Sequence, residues 1–391
     1  MRKKIRNIAI ASLMVCAIPF TVSAGSYTAI IGEKTAQMKK YLVLEGDAAV
    51  PTASFTYAIE AASGDAIGNF GENAGAYTVY AGVDADKVTM TGVDSTTNFT
   101  IGFNSGDTTA TTPNQLIKNL QTGDKYVEKT GTLDFSACEF THPGIYRYVL
   151  TESGTATGVI NDDVSSRFVD VSVENDTEAA NTLKITDYII HSSTTRGDTN
   201  DAKGVGFTNV FDTINMTVNA TTSGTQGDKN KYFKYTLTLT GADGTYTIDA
   251  PTSAVSDADG TTKAEYLNKT NPTSVTVTNG TGTVEFYLKD GETFEVKGIP
   301  TGMSYELTED PEGYQVVNGE DEGTAFRKTG TIAPVTGETR STDITYTCNN
   351  KLDTPVLTGV FSGATPFIIA AIAAVFGLIF LSRKKKNIIP S

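Results

Sequence analysis

The sequence predicts an all-β protein with two β-sandwich domains between two targeting segments. The body is rich in Thr, Val, Tyr, Gly, Asn and Asp, and its short alternating segments, such as residues 236–240, are separated by turns such as residues 241–244. Short strands at this spacing are typical of β-sandwiches. No long window outside the two ends has helical periodicity. Once those ends are removed, the remaining length suits two domains of ordinary size.

Two pieces of sequence recur in the same order, which indicates related halves. Residues 131–135 (GTLDF) resemble residues 282–286 (GTVEF), and residues 148–152 (YVLTE) resemble residues 305–309 (YELTE). We therefore predict a duplicated β-domain, with the first copy at residues 25–212 and the second at residues 213–352.

The first 24 residues have the pattern of a secretory signal peptide. Arg2, Lys3, Lys4 and Arg6 precede an apolar stretch at residues 8–20, and the small residues 22–24 offer a cleavage site. This order of charged, apolar and small residues is typical of export signals and is excluded from the fold.

Residues 353–391 form a predicted membrane-retention tail. The apolar run at residues 360–381 is long enough to span a hydrocarbon core as a transmembrane helix, at roughly 1.5 Å per residue. Four basic residues follow it at 383–386. The positive-inside rule leaves this short end in the cytoplasm and the body of the protein outside the cell.

Residues 355–359 (PVLTG) resemble the Leu-Pro-x-Thr-Gly sorting signal of Gram-positive surface proteins. Thr358 and Gly359 match, whereas Pro355 stands where Leu is usual and Val356 where Pro is usual. The resemblance implies that a sortase cleaves between Thr358 and Gly359. It also implies that the protein is anchored in the membrane before cleavage and is located in a Gram-positive cell wall or a surface fibre afterwards.

Composition excludes several classes of function. The formal net charge of −14 argues against nucleic acid or an anionic membrane as a partner. Cys138 and Cys348 fall in different halves, so an internal disulfide framework is not expected. His142 and His191 do not have metal-ligand spacing, and we expect no metal, no cofactor and no catalytic triad. The many carboxylates contain no recognisable catalytic pair, which argues against an extracellular hydrolase.

Strand alternation points three polar side chains toward the predicted core of the first domain. Lys40 shares a face with Leu42 and Leu44, Asn209 with Phe207 and Phe211, and Glu152 with Tyr148 and Leu150. Burial of an unpaired polar group or charge is costly, so the three require partners.

Lys40, Glu152 and Asn209 together could perform one reaction. Burial favours the neutral forms of an amine and of a carboxyl group, so Lys40 could attack the Asn209 amide while Glu152 polarises its carbonyl and carries protons. The product is a Lys-Asn isopeptide bond and ammonia. Alternation alone favours simpler roles, in which Lys40 snorkels at a strand end, Asn209 caps a turn and Glu152 lies at a sheet rim.

Several segments are similar to streptococcal backbone pilins of the T-antigen type. They are Lys40-Tyr-Leu with Pro51 and Phe55-Thr-Tyr, residues 143–152, Phe207-Thr-Asn209, residues 287–292 and residues 300–310. The resemblance covers the chain from signal to tail. It implies immunoglobulin-like domains, each with a Lys-Asn isopeptide bond beside a Glu, and here assigns Lys40, Asn209 and Glu152 to the first domain.

The same resemblance implies polymerisation by a pilin-type sortase, which joins the cleaved Thr of one subunit to a Lys of the next. Lys203 is the nearest match to the family's donor, with its register off by about one residue, and Lys184 is the second candidate. Neighbouring subunits, tip or basal pilins and peptidoglycan are then the partners. The alternative is a monomeric wall-anchored adhesin or ligand-binding protein with the same two targeting segments.

The second domain is predicted to lack the crosslink. Aligning its opening strand on the family pattern puts Ala220 where the reacting Lys should stand. At the closing strand, Cys348 takes the position that matches Asn209, unless a slip of register brings in Asn350. Glu309 is retained and is predicted to be a buried acid.

Overall fold

The computed structural model describes ten segments of the chain: residues 29–46, 48–70, 77–92, 94, 99–118, 120–192, 206–318, 321–323, 325–334 and 340–354. The predicted signal peptide, the transmembrane run, Lys203, Thr358 and Gly359 lie outside them. Among the described residues, no helix has the length and apolar character needed to cross a membrane.

The described regular structure consists of strands and three short 3-10 helices, so the predicted all-β fold is confirmed. The 3-10 helices are Gly64–Ala66, Ala85–Lys87 and Ala264–Tyr266. The first domain contains β1 (Ala29–Gly32), β2 (Thr35–Leu44), β3 (Ala53–Ala61), β4 (Gly68–Phe70), β5 (Tyr77–Ala81), β6 (Thr89–Thr91), β7 (Thr100–Phe103), β8 (Lys125–Asp134), β9 (Gly144–Ser153), β10 (Val159–Ile160), β11 (Ser166–Asn175), β12 (Thr182–His191) and β13 (Phe207–Phe211). The second contains β14 (Thr213–Ser223), β15 (Phe233–Thr240), β16 (Gly244–Asp249), β17 (Ser274–Val277), β18 (Thr281–Leu288), β19 (Thr293–Pro300), β20 (Ser304–Asp310), β21 (Gln315–Asn318), β22 (Asp321–Gly323), β23 (Phe326–Thr331) and β24 (Ile344–Lys351).

Each domain is an immunoglobulin-like sandwich of two sheets around its own apolar core. In the first, the sheet β1-β12-β11-β9-β3-β7, with β4 and β5 attached through β9, faces the sheet β10-β13-β2-β8-β6. In the second, the sheet β17-β16-β19-β14-β24-β21-β22 faces β18-β15-β20-β23. Buried and more exposed side chains alternate along the strands because every second side chain enters the core. In β15, for example, Phe233, Tyr235, Leu237 and Leu239 are all buried.

In each domain, a long strand near the start lies beside the last strand and runs parallel to it. In the first domain β2 pairs with β13, and in the second β14 pairs with β24. The recurring segments 148–152 and 305–309 occupy equivalent strands, β9 and β20. Glu152 of β9 lies opposite Tyr57 of β3, just as Glu309 of β20 lies opposite Tyr235 of β15.

The other recurring pair does not occupy equivalent strands. Residues 131–134 lie on β8 beside the opening strand β2, whereas residues 282–286 lie on β18 beside β15 in the opposite sheet. Both segments are edge-proximal strands with the same alternation of apolar and polar residues, which explains a local similarity without a common position.

Polar contacts join the two sandwiches at residue 212. The Asp212 carboxylate accepts hydrogen bonds from the Ser341 main-chain N–H (3.1 Å) and from its hydroxyl (2.7 Å). The neighbouring Arg340 forms a two-pronged ion pair with Asp124 of the first domain, at 3.0 and 2.6 Å. The end of the second domain is thereby fastened to the first.

Candidate functional site

The paired strands β2 and β13 bring Lys40 and Asn209 together in the first domain. Lys40 lies opposite Phe207, and Leu42 lies opposite Asn209, so Lys40 and Asn209 are diagonal neighbours on one face of the sheet. Leu42 and Phe207 pack in the main core, so this face points inward. The side chains of Lys40 and Asn209 are both 0% exposed. The inward orientation predicted from alternation is therefore observed.

Lys40 is a buried amine that forms an ion pair with Glu152. Its Nζ donates a hydrogen bond to Glu152 Oε2 at 2.7 Å and lies 4.1 Å from the centre of the Phe55 ring. Burial lowers the pKa of Lys40 from 10.5 to about 8, against the opposing effect of the Glu152 charge. The neutral, nucleophilic form of this amine is therefore more accessible near neutral pH than that of an exposed lysine.

Glu152 reaches Lys40 from the opposite sheet. It lies on β9, only 8% exposed, and its Oε2 also accepts a hydrogen bond from the Tyr57 hydroxyl at 2.6 Å. Burial raises the pKa of Tyr57, and the nearby carboxylate raises it further, so the hydroxyl stays a donor. Two donors on one oxygen fix the carboxylate beside the amine.

Tyr57 is a site residue that our sequence reasoning did not assign. It stands two residues after Phe55 on β3, so the alternation that buries Phe55 also buries Tyr57. Its ring lies 5.4 Å from that of Phe207, the residue opposite Lys40. A buried tyrosine needs a partner for its hydroxyl, and this signal was available from the sequence.

Asn209 is held by the loop between β10 and β11. Its Oδ1 accepts a hydrogen bond from the Asp162 main-chain N–H at 3.1 Å, and its Nδ2 donates to Asn161 Oδ1 at 3.2 Å. The sequence-based interpretation gave the role of donor on this carbonyl to Glu152. In the structure Glu152 contacts Lys40 and Tyr57, and the donor on the Asn209 carbonyl is the Asp162 main chain.

The second domain has the same constellation without the amine. Ala220 of β14 lies opposite Cys348 of β24, and Thr222 lies opposite Asn350. Ala220 therefore occupies the position of Lys40, and Asn350, its diagonal neighbour on the adjacent strand, occupies the position of Asn209. The expectation that Cys348 matches Asn209 is wrong, because Cys348 takes the position of Phe207. Both residues lie on the same face, so alternation could not decide between them.

The buried acid of the second domain is bonded to this strand. Glu309 accepts hydrogen bonds from Asn350 Nδ2 and from the Cys348 thiol, the latter at 3.0 Å. Burial raises the pKa of Glu309, whereas these hydrogen bonds lower it, and burial beside Glu309 raises the pKa of the Cys348 thiol. Asn350 Oδ1 is buried and has no hydrogen-bond partner among the described residues.

The remaining residues that the sequence singled out lie away from the Lys40–Glu152–Asn209 site or outside the described segments. Lys184 lies exposed on β12, opposite Ile31 of β1 and Glu174 of β11. Cys138 and Cys348 are both buried and free. His142 bonds the Tyr146 hydroxyl through Nδ1 at 2.6 Å, at the turn before β9. In the described part of the chain, no three His, Cys, Asp or Glu side chains are grouped so that they could hold a metal ion.

Each of the two domains matches the model of a known domain family. Residues 36–212 match the model of the Spy0128-like isopeptide containing domain. Residues 214–345 match a domain of unknown function, DUF7601. The first match covers the strands that carry Lys40, Glu152 and Asn209, so the class of the first domain is that of an isopeptide containing domain.

Similar proteins come from Streptococcus pyogenes. A curated relative described as pilin, from serotype M1, is 30% identical over 266 residues, which are 66% of this chain and 72% of that protein. The pilus tip adhesin Cpa is 36% identical over 143 residues, 32% of this chain and 18% of that protein. This chain belongs to the Gram-positive backbone pilins of the streptococcal type with an isopeptide-linkage domain.

Solved structures of major pilins are also similar. The major pilin from S. pyogenes aligns with a TM-score of 0.49 and 23% identity, covering 83% of this chain and 100% of that chain. The T3.2 major pilin aligns with a TM-score of 0.46 and 20% identity, covering 81% of this chain and 100% of that chain.

Proposed function

We propose that this pilus subunit is polymerised by a sortase into the backbone of a surface fibre, and that its first domain crosslinks itself between Lys40 and Asn209. The observation that carries the crosslink is the fully buried Lys40 amine, 2.7 Å from Glu152 and diagonal to Asn209 on the adjacent parallel strand. The proposed domains are residues 25–212 and 213–352, a division that the family matches to residues 36–212 and 214–345 support.

The proposed reaction exchanges one amide for another. Lys40 first passes a proton to Glu152, and the free pair on Nζ then forms a bond to Asn209 Cγ while the carbonyl pair moves onto Oδ1. As that pair returns, the bond from Cγ to Nδ2 breaks, and Nδ2 takes the proton held by Glu152 and leaves as ammonia; the Glu152 carboxylate then takes the second proton from the bonded Nζ, which leaves a neutral amide. Nothing is oxidised or reduced. The protein performs this chemistry once, on itself, and has no turnover activity.

The rate of this crosslinking should depend on pH through Lys40. The reacting state, a neutral amine beside a protonated Glu152, carries as many protons as the Lys40–Glu152 ion pair, and the pair loses one of them as the pH rises through the Lys40 pKa of about 8. We expect the rate to be nearly constant below this pKa and to fall by up to about tenfold per pH unit above it. Intact mass spectrometry of freshly translated chains between pH 6 and 10 measures the loss of ammonia. A rate that rises with pH through this range would contradict the transfer of the Lys40 proton to Glu152.

Polymerisation should require Thr358 and one surface lysine. We propose that a sortase cleaves between Thr358 and Gly359 and joins Thr358 to Lys203, or else to the exposed Lys184, of the next subunit. Cells with Thr358→Ala should show no ladder of high-mass species on a denaturing gel of wall extract, and cells with the donor lysine replaced should show none either. A full ladder in both lysine variants, singly and together, would rule out both donors.

A monomeric wall-anchored adhesin remains the rival function, and the local match to the pilus tip adhesin Cpa is the observation that favours it. In that role Thr358 goes to peptidoglycan and no lysine of this chain becomes an acceptor. One band in the wall extract, in place of a ladder, would support the adhesin and exclude the polymer. In the polymer, neighbouring subunits are covalent partners, and tip or basal pilins share the fibre.

A further inference from the structure

The loop formed by residues 161–165, between β10 and β11, contacts both polar atoms of the Asn209 amide. The Asp162 main-chain N–H donates to Oδ1 at 3.1 Å, and Asn161 Oδ1 accepts from Nδ2 at 3.2 Å. Asn161 is itself fixed, because its Nδ2 donates to the Gly154 carbonyl at 2.9 Å. A main-chain N–H can only donate and a main-chain carbonyl can only accept, so this chain of contacts sets the orientation of both side-chain amides.

We infer that this loop is the oxyanion site of the crosslinking reaction: the Asp162 main-chain N–H stabilises the charge that develops on Asn209 Oδ1, and Asn161 holds the departing nitrogen. The inference rests on the proposed Lys40–Asn209 crosslink. When Nζ adds to Cγ, the carbonyl pair moves onto Oδ1, and a donor already in place stabilises the new charge without reorganisation. The observed 3.1 Å is a normal hydrogen bond to the carbonyl oxygen of the unreacted amide, so the donor is in place before the addition begins.

The Asp162 carboxylate holds the loop in register with Asn209. It accepts hydrogen bonds from the Thr208 main-chain N–H at 2.8 Å, from the Val164 N–H at 3.0 Å and from the Arg167 guanidinium at 2.7 Å. Thr208 is the residue before Asn209, so the donor and the reacting amide are tied to the same short piece of strand. Asp162 thus acts twice, by contact through its N–H and by position through its carboxylate.

Arg167 of β11 connects this loop to the start of β13. Its Nε donates to the Gly206 carbonyl at 3.3 Å, and its guanidinium lies 4.8 Å from the centre of the Phe207 ring. The loop is therefore fastened to β13 just before the reacting residue. In the second domain, where Lys is replaced by Ala220, the equivalent carbonyl oxygen of Asn350 has no donor among the described residues. The donor is present where the amine is present.

The direct test replaces the Asp162 N–H by an ester oxygen, with the α-hydroxy analogue of aspartate incorporated at position 162 of the mature chain by cell-free nonsense suppression. The same change at Asp163, one residue further along, is the matched control. At pH 7, we expect the ester at 162 to slow the loss of ammonia by about 100-fold or more and the ester at 163 to leave the rate within a factor of two. Equal rates at 162 and 163 would overturn the inference.

A second pair of variants separates position from contact and remains informative if the ester chain does not fold. Asp162→Ala keeps the N–H but frees the loop, whereas Asp163→Ala removes an exposed carboxylate that pairs with Lys118 and interacts more weakly with Asp162 and Arg167. In folded chains we expect Asp162→Ala to crosslink at least tenfold more slowly than Asp163→Ala, with Asp162→Asn intermediate and the pH dependence unchanged. Equal rates in all three contradict the inference. If the wild-type chain loses no ammonia, the proposed crosslink itself fails.

Discussion

Replacing Lys40 with alanine is expected to restore the full sequence mass of the mature chain and to lower the melting temperature of the first domain by about 10–20 °C. Without the bond between Lys40 and Asn209, the unfolded chain regains a loop of about 170 residues, worth about 5 kcal/mol in the chain-entropy model of crosslinks. Asn209→Ala should have the same two effects while keeping the amine and Glu152. Intact mass and calorimetry measure both.

Lys39 supplies the matched control for this experiment. It is the preceding residue of the same strand, its side chain is 32% exposed, and it forms a surface ion pair with Glu128 at 2.6 Å. Lys39→Ala should retain the ammonia loss and melt within a few degrees of the wild type, because exposed ion pairs contribute about 0–1 kcal/mol. If Lys39→Ala and Lys40→Ala have the same mass and melting temperature, the crosslink does not involve Lys40.

Introducing an amine into the second domain is expected to create a second crosslink. The wild-type second domain should keep its full mass, because Ala220 carries no amine. In Ala220→Lys, the new Nζ enters a buried site already lined by Glu309, Tyr235 and Asn350, and it should lose ammonia with Asn350 over hours. The bond closes a loop of about 130 residues, which should add about 5 kcal/mol to the stability of that domain.

Ala220→Met is the control for volume, since it adds a side chain of similar length without an amine. It should show neither the mass loss nor the stabilisation. Adding Glu309→Gln to Ala220→Lys should prevent the bond by removing the proton carrier. The reaction should be slower than in the first domain, because no donor among the described residues contacts the Asn350 carbonyl. Peptide mapping decides the case: a folded Ala220→Lys chain with no branched peptide ending at Asn350 would contradict this prediction.

Alternation of side chains predicted the fold and the inward direction of Lys40, Glu152 and Asn209. These are properties of a single strand, and the period of two reports them directly. The register of one strand against another is not reported by this period, because it depends on how the two strands pair. Cys348 and Asn350 share a face, so only the pairing with Ala220 and Thr222 shows which of them matches Asn209.

The contacts made by loops also could not be predicted from the sequence. Asn161 and Asp162 are ordinary turn residues in composition, and nothing local indicates that one main-chain N–H meets an amide on β13, 47 residues away. The Tyr57 hydroxyl was predictable as a buried group in need of a partner, but its choice of Glu152 depends on how β3 and β9 pair.

The parallel pairing of β14 with β24 determines how the second domain bears load. When tension is applied between residues 213 and 354, the two ends of the domain, the strands are pulled past each other along their length. The eight residue pairs from Met216–Ile344 to Ser223–Lys351 then share the force at once, whereas an antiparallel hairpin pulled from its open end separates one pair at a time. The second domain thus resists extension through shear of its hydrogen-bonded ladder, and the force that breaks this ladder sets the tension at which the domain extends.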